Sequence, residues 1–145
     1  MAVYLTPMVE LVVTAGAYTA GDALGASSSF TNLPEGGTIM SAFVVDDDDT
    51  PSGSNLELVL FRSSITGTSD NSAFDPTDAE MLTCIGVIAI STHFAFVSNG
   101  MSIVDNIALP YWAPEGTLYF QVVDRGGSMT PSATDDIHVG IGVVY

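Results

Sequence analysis

The sequence predicts an all-β protein, an antiparallel β-sandwich of jelly-roll type with about eight strands and at most one short helix. Apolar residues recur at every second position, most clearly in "IHVGIGVVY" (137–145), and this period is typical of strands. Turn-forming residues separate the apolar runs, as in "DDDDTPSGSN" (46–55) and "RGGSMTPSATDD" (125–136). Helical patterns do not alternate with the strand patterns, which argues against an α/β fold.

Each predicted strand rests on the same alternation. The strong patterns cover residues 9–15, 38–45, 56–61, 85–90, 101–109, 117–124 and 137–145, and the weaker ones cover 28–33 and 93–98. The stretch "DPTDAEML" (75–82) predicts the one helix, with Pro76 at its first position and acids in its first turn. Between strands, "AYTAGDALG" (17–25) predicts a turn, with Tyr18 on the edge of the sandwich as a further candidate interface residue. "PYWAPEG" (110–116) reads as a loop.

A length of 145 residues indicates one domain. We divide it into an N-terminal arm (1–8) and a single sandwich (9–145), because Pro7 separates "MAVYLTP" from the first strong strand pattern. A leader of this kind is typically ordered by a partner. The arm therefore contributes four predicted interface residues, which are Val3, Tyr4, Leu5 and Pro7.

The charge balance limits the classes of partner. Seventeen acidic residues against two basic ones give a formal net charge of −15, so phosphate backbones and anionic membranes should repel the chain. No apolar run is long enough to span a membrane. The hydrophobic fraction of 47% and mean hydropathy of +0.40 predict a folded chain. They favour apolar surface left over for a partner, although a well-buried monomer with a Ser/Thr/Gly-rich surface has the same totals.

Catalytic motifs are lacking, and we do not expect an enzyme. Cys84 lies in an apolar stretch and is typical of a small buried hydrophobe. His93 and His138 are far apart in sequence, and both are expected at the surface or at a sheet edge rather than in a shared metal site. Some of the 17 acids will lie at a catalytic distance by chance, so paired carboxylates indicate nothing specific.

Two polar or aromatic features have alternative interpretations. The four consecutive aspartates Asp46, Asp47, Asp48 and Asp49 offer oxygen ligands for Ca²⁺, yet their spacing is not that of an EF-hand loop. The alternative is a solvated loop tip. Tyr111 and Trp112 are interface anchors or an apolar plug at one end of the sandwich. No cofactor other than this candidate Ca²⁺ is expected.

Three stretches, in order, resemble small virion structural proteins of tailed bacteriophages. They are "AYTAGDALG" (17–25), "LELVLFRSSITGTSDNSAFDPTDAEML" (56–82) and "LPYWAPEGTLYFQVVDRGGSMTPSATDDIHVGIGVV" (109–144). The first is similar to an Ala-Tyr-x-x-Gly-Asp-x-x-Gly motif near the N-terminus of such proteins. The run of aspartates and the near-absence of basic residues set this chain apart from them.

The resemblance implies an all-β sandwich and a role as a capsid decoration or cement protein. Such a protein is made in the host cytoplasm, binds the major capsid protein and sits on the outer surface of the virion, commonly as a homotrimer. A neck or tail protein of the same fold is an alternative. A carbohydrate-binding module on the virion surface is another, with Trp112 and Tyr111 stacking on a sugar ring and the aspartates holding Ca²⁺.

Overall fold

The alternating apolar residues build two packed antiparallel sheets in the computed structural model, which describes residues 1–48 and 52–145. The elements in chain order are β1 (Val3–Leu5), β2 (Val9–Leu11), β3 (Asp22–Phe30), β4 (Gly36–Asp46), β5 (Leu56–Phe61), α1 (Asp78–Met81), β6 (Cys84–Ile90), β7 (Thr92–Ala95), β8 (Gly100–Trp112), β9 (Leu118–Asp124) and β10 (Ile137–Val144). The prediction of an all-β sandwich with one short helix is confirmed.

The strand order is that of a jelly roll. One sheet has six strands in the order β1-β10-β4-β8-β7, with β2 also paired to β10. The other has four strands in the order β3-β9-β5-β6. The chain crosses between the sheets at most connections, so that β2, β4, β8 and β10 face β3, β5, β6 and β9. The short strands β1 and β7 extend the six-stranded sheet at its two edges.

The core fills the space between the two sheets. Alternate residues of β10 point inward and are at most 1% exposed, namely Ile137, Val139, Ile141 and Val143. The rings of Phe30 and Phe120 stack at the centre, with centroids 4.2 Å apart. Each buried aliphatic or aromatic side chain of this kind contributes about 1.5–3 kcal/mol to folding, relative to an exposed one.

The predicted N-terminal arm is a strand of the sandwich rather than a free leader. Val3 pairs with Val144 and Leu5 with Gly142 across β10. The backbone amide of Ala2 donates to the carbonyl of Tyr145 at 2.9 Å. Half-buried Tyr4 packs against the core. These contacts hold the segment in the sheet, because backbone pairing and an inward aromatic ring stabilise it without a partner.

Smaller differences concern element boundaries. The stretch 17–25 is only partly a turn, because β3 begins at Asp22. The loop predicted at 110–116 begins at Ala113, three residues later than predicted, because β8 continues to Trp112. Helix α1 is capped by Thr77, whose side chain and that of Glu80 form a capping box. Pro76 therefore precedes the cap instead of occupying the first helical position. No helix among the described residues is long and apolar enough to cross a membrane.

Residues 62–83 cover the outer face of the four-stranded sheet. Ile65 and Phe74 from this segment pack onto a second apolar cluster formed by Val59, Phe61 and Val123. Backbone hydrogen bonds anchor the segment to β3, as from the Ala23 amide to the Ser72 carbonyl at 2.8 Å. The chain thus buries the middle of this outer face with its own residues, while Val87 on β6 stays 52% exposed.

Candidate functional site

The six-stranded sheet has an apolar side that faces away from the core, which we call the outer face. Its side chains come from four strands and the segment between β1 and β2, and none of them belongs to the buried core clusters. They are Leu5, Met8, Phe43, Val45, Phe94, Met101 and Ile103.

Strand register places these side chains next to one another. Phe43 on β4 lies opposite Ile103 on β8, and Val45 lies opposite Met101. Phe94 on β7 also lies opposite Met101. Side chains directly opposite on one face of a sheet are in contact range, so the apolar residues form one continuous patch across β4, β8 and β7.

Glycines of β10 leave space for the side chains of this patch to lie directly over the β10 backbone. A Cβ on Gly140 would collide with the Phe43 ring and would approach the Met8 sulfur to 2.9 Å. A Cβ on Gly142 would lie 3.0 Å from the Leu5 side chain. The absent side chains leave room for neighbouring strands to spread their apolar groups over β10.

The two sheets differ in how much of the side that faces away from the core is covered by other residues. On the four-stranded sheet, Val59, Phe61 and Val123 are at most 2% exposed. On the six-stranded sheet, Leu5 is 62% and Phe94 52% exposed, and the central residues are half-buried. A contiguous apolar patch that stays accessible to water is typical of a protein–protein interaction site.

Acidic groups border the outer face. His138 on β10 lies between Glu10, at 3.6 Å, and Asp47, at 3.8 Å. Asp105 is exposed on β8, at the other side of the patch. Both arginines follow strands of the other sheet, where Arg125 pairs with Glu57 at 2.9 Å. The outer face is therefore an apolar surface with a negative rim.

Asp46, Asp48 and Asp136 form a buried cluster where β4 ends. Carboxylate oxygens of Asp46, Asp48 and Asp136 lie within 4.8 Å of one another, and the three residues are at most 7% exposed. Backbone amides donate to them, from Asp48 to Asp46 at 3.1 Å, from Ser132 to Asp48 at 2.9 Å and from Ala133 to Asp136 at 2.7 Å. The cluster ties the loop after β4 to residues 132–136. Two predicted Ca²⁺ candidates belong to it, Asp47 lies beside His138, and Asp49 falls outside the described residues.

Burial raises the pKa of Asp46, and the neighbouring charges of Asp48 and Asp136 raise it further. The protonated form of a group with a raised folded-state pKa is favoured by folding. Its stabilising contribution is complete below the pKa of the unfolded chain and is lost as pH rises through the folded-state pKa.

We therefore expect Asp46→Asn to gain stability relative to the wild type between pH 4 and pH 7. The amide keeps an acceptor for the Asp48 amide and carries no charge at either pH. Chemical denaturation of both proteins at the two pH values measures the difference, with the exposed Asp75→Asn as the control. A difference in the free energy of unfolding that is the same at pH 4 and pH 7 would contradict the expectation.

The predicted interface residues are in different environments. Val3 and Trp112 are 73% and 63% exposed, like Leu5 of the outer face, and Pro7 is also exposed. Tyr18 and Tyr111 are buried, at 4% and 7% exposure. A buried ring has almost no area to offer a partner, so the interface role predicted for these two tyrosines does not fit their positions.

Tyr18 instead connects three parts of the chain. Its hydroxyl donates to Asp70 Oδ1 at 2.7 Å and accepts from the Thr14 amide at 2.8 Å. Asp70 also accepts from the Thr14 hydroxyl at 2.7 Å and from the Gly25 amide at 2.6 Å. Burial and the bond to Asp70 raise the pKa of the Tyr18 hydroxyl well above its usual range. These hydrogen bonds link the stretch 17–25 to the covering segment 62–83. We call the group formed by Thr14, Tyr18, Gly25 and Asp70 the clasp.

The two histidines do not share a site. His93 lies on β7, where its Nδ1 is 3.0 Å from the Ser102 hydroxyl. His138 lies on β10, three strands away in the same sheet, beside Glu10. Half-buried Cys84 packs against the second apolar cluster as a free thiol.

Trp112 stands beside an open cavity of about 420 Å³ that is also lined by Arg62, Ile85, Pro110 and Tyr111. Comparison with known proteins found no matching family model, no matching curated protein and no matching solved structure.

Proposed function

We propose that this protein is a virion structural protein of a tailed bacteriophage that decorates the outside of the head shell. The observation that supports this proposal is the accessible apolar outer face of the six-stranded sheet. A protein whose work is adhesion needs such a surface and needs no catalytic group. The resemblance in the sequence supplies the phage context, and the jelly roll is a fold that viral capsid proteins commonly use.

The proposed mechanism is mechanical. Each copy places its outer face on the major capsid protein and bridges neighbouring subunits. A contact of standard size buries about 800 Å² on each partner, and symmetry repeats that contact over the shell. Opening the shell then requires breaking the added contacts. The rest of the surface of this acidic chain, whose net charge is −15, faces outward, away from packaged DNA.

We further propose a homotrimer on the shell, as the resemblance implies. The exposed edge strand β1, with Val3 at 73% exposure, is a surface suited to contacts between copies. Edge strands carry unpaired backbone groups that readily pair with another chain.

Co-sedimentation tests the proposal. Purified protein is mixed with shells of the encoding phage that lack it, and bound copies are counted by imaging. We expect saturable binding at the many equivalent positions of the shell, together with greater resistance of the shell to heat. No binding, or binding at a single vertex only, would contradict decoration, and the second result would favour a neck or tail protein.

A carbohydrate-binding module is the second candidate, and the position of Trp112 favours it. Its exposed ring beside the cavity is suited to stacking on a sugar, and Arg62 in the same lining can donate to hydroxyl groups. Glycan binding that is lost on Trp112→Ala, in a protein that does not bind shells, would favour this function over decoration.

A further inference from the structure

We propose that a groove at the β7–β8 edge of the outer face binds a lysine or arginine side chain of the partner protein, as the anchor of the interface. The inference rests on the proposed function, because it specifies the partner chemistry of the same surface. It commits to a protein partner whose contact patch is apolar and has basic residues at its edge.

The groove has the size and lining for such a side chain. Its volume is about 240 Å³, and it is lined by Ser91, Thr92, Phe94, Ile103, Val104 and Asp105. Phe94 and Ile103 belong to the outer face, so the groove is continuous with the apolar patch. Asp105 is the one charged residue in the lining.

The lining matches both parts of a long basic side chain. The aliphatic stem of lysine or arginine packs well on apolar side chains while its charged end stays accessible. Phe94 is 52% exposed, and its ring offers a cation–π contact. Asp105 accepts from the Asn106 side chain at 3.1 Å, and a carboxylate has capacity for a charged donor as well.

Charge distinguishes the partner from a second copy of this chain. The outer face has acidic groups at both sides, Glu10 and Asp47 near β10 and Asp105 on β8. A second copy that presented the same face would bring the same negative rim. Its arginines follow strands of the other sheet. Like charges facing each other oppose association, whereas a basic rim on the partner complements this face.

A defined peptide pair tests the groove without shells. The probe is Leu-Arg-Leu with both ends blocked, and its counterpart is Leu-Glu-Leu, each titrated into ¹⁵N-labelled protein while amide shifts are recorded. We expect the arginine peptide to shift residues 91–94 and 102–106 saturably and the glutamate peptide to bind at least about tenfold more weakly.

Matched variants separate the groove from general attraction to an acidic protein. Phe94→Ser and Asp105→Asn should each weaken binding of the arginine peptide several-fold. Val87→Ser, at a residue of the other sheet that is also 52% exposed, should leave binding unchanged. Amide spectra of the variants report whether each retains the fold. Shifts spread over the acidic loops, or equal binding by all three variants, would overturn the inference.

Shell binding distinguishes the two proposals. If the arginine peptide binds in the groove but the protein does not bind shells, the anchor stands and the decoration function fails. If the wild type, Phe94→Ser and Asp105→Asn all bind shells with equal affinity, the decoration function stands and the anchor is overturned. Self-association of the wild type that Phe94→Ser abolishes would also overturn the inference, because the occupant would be a second copy.

Discussion

Asp124→Ala is expected to lower the free energy of unfolding by about 3 kcal/mol, the largest effect that we predict for a single polar residue. Asp124 is fully buried at the end of β9. Its carboxylate accepts from the Ser54 hydroxyl, from the Gly127 amide at 2.8 Å and from the Met129 amide at 3.0 Å. Alanine would leave two buried donors and the part-buried Gly127 amide without this acceptor, and each unsatisfied buried donor costs about 1–3 kcal/mol.

Thermal denaturation measures this loss as a decrease in Tm of about 6–12 °C. Asp124→Asn keeps one acceptor oxygen and should fall between the alanine variant and the wild type. The exposed Asp75→Ala removes the same group from the surface and should change Tm little. A Tm for Asp124→Ala equal to that of Asp75→Ala would show that the carboxylate does not hold the loop after β9.

Asp70→Ala is expected to cost about 2 kcal/mol, because three donors converge on this carboxylate from outside its own segment. They are the hydroxyls of Thr14 and Tyr18 and the amide of Gly25. The loss should be local as well as global. Amide hydrogen exchange should speed up in residues 62–83, which cover the four-stranded sheet, more than in β10.

A double-mutant cycle with Tyr18→Phe isolates the contact between Tyr18 and Asp70. We expect a coupling energy of about 1 kcal/mol, since each single variant already breaks the shared hydrogen bond. Additive effects of the two substitutions would mean that the clasp does not act as a unit. In that case the covering segment would be held by its other contacts, such as the packing of Ile65 and Phe74 and the hydrogen bond from the Ala23 amide to the Ser72 carbonyl.

The regular strands were predictable because their side chains alternate between core and outside. The pattern at 137–145 led directly to β10, and the one helix was found near its acidic first turn. The ends of the strands were harder to predict from this alternation. β8 continues through Pro110 to Trp112 because pairing with Gly36 and Gly37 of β4 extends it. A local pattern contains no information about such a partner strand.

The contacts of Tyr18 and of the aspartate cluster were not predicted, because they join residues that are far apart in the sequence. Tyr18 was predicted to lie on the edge of the sandwich, whereas the half-buried Asp70, 52 residues away, accepts a hydrogen bond from its hydroxyl. Asp136, which completes the cluster with Asp46 and Asp48, is separated from them by most of the chain. The run of aspartates indicated an acidic site at the end of β4, but only the fold places the carboxylate of Asp136 beside it.

The outer face was invisible in the sequence for a related reason. Phe43, Val45 and Ile103 lie in strands whose two faces are both apolar, so the sequence cannot tell which face is covered. The distinction arises because residues 62–83 fold over one sheet and leave the other accessible. The excess of apolar residues in the composition was the only indication of a surface of this kind.

The central claim is that the outer face of the six-stranded sheet attaches the protein to its shell. The most direct test counts bound copies per shell for the wild type and for Phe94→Ser/Met101→Ser, with Leu82→Ser/Val87→Ser as the matched control on exposed residues elsewhere. We predict full occupancy for the wild type and the control and strongly reduced occupancy for the outer-face variant. Equal occupancy by all three folded proteins would contradict the claim.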